Sequence, residues 1–119
     1  MRINRSKYRN QKINADGKEF DSQLEYARYR QLKLLERAGE IKNLRLQVKF
    51  LLQPKYKKNG KTIKEILYIA DFTYYDVRKG KMIIEDTKGY RTEIYKLKKK
   101  IFEYQYPELE IVEIRKEDV

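Results

Sequence analysis

Two apolar segments separated by a short turn limit the possible folds more than any other part of the sequence. Residues 66–75 and 82–87 are rich in β-branched and aromatic side chains, which favour strands. The residues around Gly80 are typical of a turn between two such segments. Since strands joined by a short loop pair antiparallel, we predict a β-hairpin in the second half of the chain.

A first helix is predicted over residues 22–38. Ser22 is a good N-cap, Glu25 completes a capping box three residues later, and Gly39 is a plausible stop. At 100° per residue one helix face is predicted to be apolar, and it consists of Leu24, Ala27, Leu34, Leu35 and Ala38. Glu25 lies at the border of that face.

A second helix is predicted over residues 92–104. Ile94, Leu97 and Ile101 form its predicted apolar centre, with Tyr95, Phe102 and Tyr104 flanking them. Lys98 falls in the middle of the apolar face, either because its ammonium snorkels to solvent or because it reaches a phosphate or the active site.

Further strands are predicted at residues 44–52 and 109–114. Short extended pieces at 12–15 and 18–20 flank a turn at Asp16-Gly17, and Asn59-Gly60 indicates a second hairpin turn. The main elements therefore follow the order α-β-β-β-α-β. This order predicts an α/β fold in which a mixed β-sheet is flanked by helices.

The length of 119 residues is that of one domain. Residues 1–12 contain five basic residues and no acidic one, so we predict a flexible basic arm there and a single folded domain over residues 13–119. No apolar segment has the length of a membrane span or a signal peptide, and we therefore expect a soluble, intracellular and cytoplasmic protein without a membrane partner.

The net charge of +11, from 29 Lys and Arg against 18 Asp and Glu, predicts a polyanionic partner. The apolar fraction of 40% makes a disordered polycation implausible, because such a chain can bury a core. Solubility or heat resistance alone would not explain the excess of positive charge, because a surface with balanced charges would serve those purposes equally well. Nucleic acid is the expected partner, since it rewards many Lys and Arg residues at once.

The chain contains no Cys and no His, which excludes much of enzyme chemistry. A thiol nucleophile, a histidine base, a disulfide framework and a thiolate or imidazole zinc site are all impossible. A bound metal would have to be held by carboxylates, carbonyls and water. Such ligands select hard ions, Mg²⁺ or in its place Mn²⁺.

Asp71, Asp86 and Lys88 form the candidate catalytic centre. Asp71 lies inside an apolar strand, and an ionised carboxylate there is costly unless it is paired or binds a metal. In an antiparallel hairpin with an even loop, strand alternation puts Asp71, Asp86 and Lys88 on one face and Glu85 on the other. Two carboxylates that hold Mg²⁺ and a lysine beside them fit phosphodiester hydrolysis.

A structural interpretation competes with this one. Asp71 and Lys88 would form an ion pair while Asp86 caps a turn, and surface pairs of that kind contribute little. Glu25 likewise could serve the helix cap alone or point at the metal site. Gln47, in the first long strand, could hydrogen-bond a metal ligand or the attacking water, or it could simply be a polar residue of an edge strand.

The residues resemble the PD-(D/E)xK nuclease superfamily. Asp71 followed by Asp86-Thr87-Lys88 is similar to its signature, with Ala70 where Pro is frequent and Asp86 where Glu is more frequent. Further stretches resemble a phage-encoded family of small nucleases, which is similar to archaeal Holliday-junction resolvases. They are Lys7-Tyr8-Arg9-Asn10, Phe20-Asp21-Ser22 through Glu25, Leu44-Arg45-Leu46-Gln47, Tyr68-Ile69-Ala70-Asp71-Phe72 and Glu85-Asp86-Thr87-Lys88-Gly89.

This resemblance implies a restriction-endonuclease-like core, a metal role for Glu25 beside Asp71 and Asp86, and catalysis by these acids with Lys88. It implies a homodimeric Holliday junction resolvase that acts in recombination on four-way DNA junctions, in the host cytoplasm if phage-encoded. Candidate residues of the dimer surface are Phe72, Tyr74 and Tyr104. Candidate DNA-contacting residues are Arg5, Lys7, Arg9, Lys57, Lys58, Arg91, Lys96 and Lys99.

Two other functions remain open from the residues alone. A non-catalytic DNA-binding module would use the same basic surface with structural acids. A nicking or RNA-directed nuclease could share the same fold, because a fold does not fix the substrate.

Overall fold

The computed structural model describes residues 12–119, which form strands, two helices and a short 3₁₀ turn. In chain order the strands are β1 (Ile13–Ala15), β2 (Lys18–Phe20), β3 (Ile41–Gln53), β4 (Tyr56–Lys58), β5 (Lys61–Ile63), β6 (Ile66–Asp76), β7 (Lys81–Thr87) and β8 (Ile111–Ile114). The helices are α1 (Gln23–Arg37) and α2 (Glu93–Gln105), and the 3₁₀ turn is Lys116–Asp118.

A mixed four-stranded sheet with the strand order β3-β6-β7-β8 carries the fold. β3, β6 and β7 pair antiparallel, whereas β8 pairs parallel with β7 because α2 crosses over between them. β1 pairs with β2 and β4 with β5 in two separate hairpins. The predicted element order and the α/β fold with a mixed sheet and two helices are confirmed.

The two helices cover opposite faces of the sheet. Ile83 and Ile84 are neighbours on β7 and therefore point to opposite faces. Ile83 packs with Tyr29 and Leu32 of α1, whereas Ile84 packs with Phe102 of α2. The apolar core thus consists of two clusters separated by the sheet.

Both ends of α1 follow the sequence signals. Ser22 is the N-cap, and its Oγ accepts a hydrogen bond from the Glu25 amide. After the C-cap Ala38, Gly39 has a φ of +79°, and its amide and that of Glu40 bond back to Glu36 and Leu35. These two bonds form a Schellman motif, which satisfies carbonyls at the helix end.

The core faces of both helices differ from the prediction. In α1 the buried residues are Glu25, Tyr29 and Leu32, while Leu34 is 61% exposed. In α2 the buried residues are Tyr95 and Phe102.

Of the three residues predicted as the apolar centre of α2, only Ile101 packs against the core. Ile94 and Leu97 are exposed and Ile101 is half-buried. The aromatic rings fill the space under the sheet, since each buries more apolar area than an aliphatic side chain does. An apolar stripe of α2 is therefore left facing outward.

β6 changes face at Asp71. Tyr68 and Ala70 belong to the cluster under α2, whereas Phe72 and Tyr74 belong to the cluster under α1, although strict alternation would place all four on one face. On the neighbouring strand, Gln47 has a left-handed φ of +53°. The sheet is thus irregular where β3 and β6 carry these two polar residues.

The structure also bears on the predicted dimer-surface aromatics and on the predicted basic arm. Phe72 and Tyr74, proposed as dimer-surface aromatics, are buried, and only Tyr104 of that set is exposed. The predicted basic arm lies outside the described residues apart from Lys12, whose Nζ is 3.3 Å from the Asp21 carboxylate. Arg5, Lys7 and Arg9 fall in that part of the chain.

Neither helix within residues 12–119 has the length and apolar character that crossing a bilayer requires.

Candidate active site

The predicted catalytic residues line one open pocket of about 410 Å³. Glu25 comes from α1, Asp71 from β6, and Asp86 with Lys88 from β7 and its end. The pocket also contains Gln47, Thr87 and Lys98. The structure therefore brings together residues from α1, β3, β6, β7 and α2, and Glu25 and Lys98 in this set are 73 positions apart in the sequence.

The register between β6 and β7 agrees with the parity argument. Phe72 pairs with Glu85 and Thr73 with Ile84, so each pair joins an odd-numbered and an even-numbered residue, as predicted. The pairing ends at Phe72 and Glu85, and Asp71 and Asp86 are the next residues beyond it. The four-residue loop after Asp76, which includes Gly80 at φ +68°, leaves this register intact.

Asp71 is held by the strand that follows it in the hairpin. Its Oδ2 accepts hydrogen bonds from the amide of Thr87 at 2.8 Å and from the Thr87 hydroxyl at 2.7 Å. Its Oδ1 accepts one from Gln47 Nε2 at 3.3 Å. The orientation of this carboxylate is therefore fixed by residues on both neighbouring strands.

Asp86 is almost completely buried and has a different partner on each oxygen. Oδ1 lies 3.0 Å from Lys88 Nζ, and Oδ2 accepts a hydrogen bond of 2.6 Å from the Tyr68 hydroxyl. Lys88 Nζ also lies 4.0 Å from the centroid of the Tyr95 ring, close enough for a cation–π contact. The structural interpretation predicted an ion pair between Lys88 and Asp71, but in the structure Lys88 pairs with Asp86 instead.

Glu25 serves the helix cap and the pocket together. Its Oε1 accepts a hydrogen bond from the Asp21 amide at 3.2 Å, just before the helix. Its Oε2 accepts one from Gln47 Nε2 at 2.9 Å. Because the same amide also contacts Asp71, Gln47 joins the carboxylates of α1 and β6.

Burial and mutual repulsion raise the pKa of two of the three carboxyls to about 7. For Glu25, burial is the larger cause and the charge of Asp71 the next. For Asp86, burial is again the larger cause, followed by Asp71, while Tyr68 and Lys88 act in the opposite direction. Both carboxyls thus lie buried beside a like charge, and strongly perturbed acids of this kind are typical of functional sites.

The ligand chemistry of the pocket fits a hard divalent cation. Glu25 and Asp86 each accept one hydrogen bond or ion pair per carboxylate oxygen, which leaves lone pairs for a cation. Within residues 12–119, no three acidic side chains are arranged to hold a metal ion. Mg²⁺ does not require such a cage, since it keeps several waters and uses one or two carboxylates.

Glu85 lies on the opposite face, as predicted. Its carboxylate is buried, accepts a hydrogen bond of 2.8 Å from Arg28 Nε, and is also bonded to the Tyr74 hydroxyl. These contacts neutralise Glu85 within the α1 cluster. It therefore has a structural role away from the pocket.

Sequence reasoning did not find the two tyrosines that contact Asp86 and Lys88. Tyr68 looks like any aromatic strand residue, and its contact with Asp86 depends on the pairing of β6 with β7. Tyr95 flanks the predicted apolar face of its helix, and its contact with Lys88 depends on how α2 packs on the sheet. Thr87, which lies between Asp86 and Lys88 in the sequence, was not predicted either, although it donates two hydrogen bonds to Asp71.

The candidate DNA-contacting residues within the described part of the chain lie on β4, on α2 and in the loop that precedes α2. Arg91 Nε lies 3.2 Å from Glu113 Oε2 but forms no hydrogen bond with the described residues, and its guanidinium is 6.0 Å from the Tyr95 ring. Lys96 pairs with Glu93, and Lys99 with Glu103, on α2 itself. Lys57 and Lys58 are exposed on β4. Lys98, by contrast, lines the pocket.

Comparison with known proteins gives one result. No curated protein and no solved structure matches the chain. A family model matches residues 5–117, which is nearly the whole sequence. The chain therefore belongs to this family, which is described as a protein of unknown function (DUF1064).

Proposed function

We propose that the protein is a metal-dependent endonuclease with a restriction-endonuclease-like core that hydrolyses phosphodiester bonds in DNA. The observation that carries this proposal is the pocket in which Glu25, Asp71 and Asp86 converge with Lys88. Two of these acids have raised pKa values because they are buried beside like charge. A chain with a net charge of +11 that gathers acids at one pocket has the electrostatics to bind a polyanion and a cation together.

Asp71 and Asp86 would hold Mg²⁺ or Mn²⁺ directly, and Glu25 would contact one of the waters that complete the coordination shell of the metal. When bound, the metal would supply a water of lowered pKa and stabilise negative charge on the phosphate. Gln47 keeps the Glu25 and Asp71 carboxylates in place, and Thr87 fixes the rotation of Asp71. These residues orient the ligands before a substrate arrives, which is how active sites avoid reorganisation during the reaction.

Lys88 is the proposed catalytic amine. Its Nζ is held between the Asp86 carboxylate and the Tyr95 ring, so the side chain has little freedom. From this position it can donate a hydrogen bond to the attacking water or to a phosphate oxygen. Lys98 lines the same pocket and offers a second positive charge to the substrate.

The finer proposal is a Holliday junction resolvase, supported by the resemblance of the DxK region to that of phage-encoded nucleases. Cutting two opposed strands of a four-way junction requires two active sites related by a two-fold axis, and hence a homodimer. Leu97 and Tyr104 of α2 are candidate residues of the surface for the second copy, because both are more than half exposed.

Cleavage of labelled four-way junctions in the presence of Mg²⁺ tests the proposal. We expect the wild type to cut, and Asp71→Asn, Asp86→Asn and Lys88→Ala each to lower the rate by about a hundredfold or more, since each removes a group that acts on the reacting phosphate. Asp76→Asn is the matched control, because Asp76 is a β6 acid whose contact is with the Lys79 amide in the turn. Unchanged cleavage by the first three variants would reject the proposal.

A second candidate function is a non-catalytic DNA-binding module. The ion pair between Lys88 and Asp86 favours it, since that pair would be a purely structural contact. This module would bind DNA without metal and would nick no substrate. Parallel assays on junctions, nicked duplex, single strands and RNA would separate it from a resolvase and from a nicking or RNA-directed nuclease on the same fold.

A further inference from the structure

The β4–β5 hairpin carries a concentration of positive charge away from the pocket. Five lysines and no acid lie between positions 55 and 64, namely Lys55, Lys57, Lys58, Lys61 and Lys64. All five are exposed, and none forms an ion pair with any residue from 12 to 119. Lys33, Lys96 and Lys99, by contrast, each pair with an acid on their own helix.

The register of the hairpin adds a second, independent observation. Lys58 lies directly opposite Lys61, on either side of the turn formed by Asn59 and Gly60. Like charges placed opposite each other destabilise a strand pair, and a hairpin of two short strands is only marginally stable by itself. Asn59 and Gly60 both have positive φ values, 52° and 76°, as a tight primed turn requires. The turn therefore favours the hairpin while the charges at its tip oppose it, which indicates an anionic partner that offsets their repulsion.

We propose that the β4–β5 hairpin is an arm that binds the phosphate backbone of duplex DNA at a distance from the cut. The choice of DNA as the polyanion rests on the proposed nuclease function. A two-stranded ribbon fits the major groove of B-form DNA, whereas the deep and narrow major groove of an RNA duplex does not admit one. Tyr56 is 46% exposed on the ribbon and adds an aromatic contact beside the lysines.

The spacing along β3 sets the place of this contact on the substrate. Gln53 at the end of the strand is six positions from Gln47 at the pocket, which is roughly 20 Å at 3.3 Å per residue. At about 3.4 Å per base pair, a duplex that follows the strand would meet the hairpin about six base pairs from the scissile phosphate. The protein would accordingly need a duplex arm of at least that length for full affinity.

The double variant Lys58→Gln/Lys61→Gln tests this arm by fluorescence anisotropy on labelled duplex DNA without divalent metal. Counterion release predicts that its affinity falls roughly tenfold or more at low salt. The slope of log K against log salt should decrease by about 2, since two phosphate contacts are lost. Circular dichroism and thermal melting check that the variant remains folded.

The matched control is Lys79→Gln/Lys81→Gln, which removes two exposed lysines at the other end of the sheet, around the β6–β7 turn. We expect this control to retain the wild-type salt slope. Equal slopes for the wild type and the hairpin variant, or an equal loss in the control, would overturn the proposal. A loss of RNA binding with unchanged duplex DNA binding would overturn it as well.

This experiment is independent of catalysis. If the hairpin variant loses duplex binding while no DNA substrate is ever cleaved, the arm is supported and the nuclease proposal fails. If the wild type cleaves DNA while the hairpin variant binds and cleaves like the wild type, the nuclease proposal holds and the arm is rejected.

Discussion

Asp86 shows what the amino-acid sequence reveals about a single residue and what it hides. Its position two residues before Lys88 and its place in an apolar strand were enough to predict a shared face with Asp71. Its hydrogen bond with Tyr68 and the contact of Lys88 with the Tyr95 ring were not predictable. Both depend on how strands and a helix from different parts of the chain pack together, which alternation along one strand does not encode.

The raised pKa of Asp86 leads to a prediction about stability without metal. A carboxyl whose pKa rises from 3.8 to about 7 on folding favours the folded state below its unfolded pKa, and this stabilisation is lost as the pH rises through about 7. Asp86→Asn lacks this dependence. Between pH 4 and pH 8 we therefore expect the wild type to lose free energy of unfolding relative to the variant, by roughly 1.4 kcal/mol per pKa unit of the shift.

Urea denaturation in the presence of a chelator measures this difference. The same comparison with Glu25→Gln should show the same sign, since burial and Asp71 also raise the pKa of Glu25 to about 7. A difference between wild type and Asp86→Asn that stays constant across the pH range would show that Asp86 is not held in a site of unfavourable charge.

Gln47 combines an unusual backbone conformation with hydrogen bonds to two acids of the pocket. Its φ of +53° is unusual for a residue with a side chain, and such conformations cost roughly 1–3 kcal/mol and concentrate at functional sites. Gln47→Gly should change the free energy of unfolding by no more than about 1 kcal/mol, because glycine relieves the strain but loses entropy. Cleavage should nevertheless fall by about tenfold or more, because the bonds to Glu25 and Asp71 disappear.

Asn43→Gly is the matched control for this prediction. Asn43 lies on the same strand with a φ of +59° and has no contact with the three acids of the pocket. It should change stability in a similar way and leave cleavage unaltered. Equal activities of the two glycine variants would mean that the amide of Gln47 does not organise the site.

At the scale of elements, the type and order of the helices and strands were predictable, but the faces of the helices were not. The caps at Ser22 and Gly39 and the turn at Asn59-Gly60 are local, and the structure confirms all three. The buried faces of α1 and α2 depend on which side chains fill the space above the sheet. Tyr29 and Leu32 fill this space on α1, and Tyr95 and Phe102 fill it on α2, and none of the four is at the centre of a predicted apolar face.

The orientation of α2 can be tested by a pair of substitutions. Phe102 is fully buried, so Phe102→Ala should cost roughly 3–5 kcal/mol of stability. Leu97 is 56% exposed, and Leu97→Ala should cost no more than about 0.5 kcal/mol in the monomer. Chemical denaturation at low protein concentration gives both values, and a larger loss for Leu97 than for Phe102 would contradict this orientation.

At the scale of the whole molecule, the chain combines an excess of positive charge with a pocket lined by acidic residues. The net charge of +11 is a property of the whole chain, while three of its acids, Glu25, Asp71 and Asp86, lie together at one pocket. β3 and β6 are irregular at Gln47 and Asp71, and residues of both α1 and α2 line the pocket there. This irregularity was not predictable, because it breaks the alternation on which strand prediction relies. The opposite charges are compatible if the pocket binds cations and the outer surface binds phosphates.

Binding of Mn²⁺, followed by electron paramagnetic resonance at a pH above 7, tests the central claim most directly, because it requires no knowledge of the substrate. We predict that the wild type binds Mn²⁺ and that Mg²⁺ displaces it. Asp71→Asn and Asp86→Asn should each weaken binding by about tenfold or more, while Asp76→Asn binds like the wild type. The pocket is not a metal centre if the wild type binds no Mn²⁺. The same conclusion follows if Asp71→Asn and Asp86→Asn bind Mn²⁺ as tightly as the wild type does.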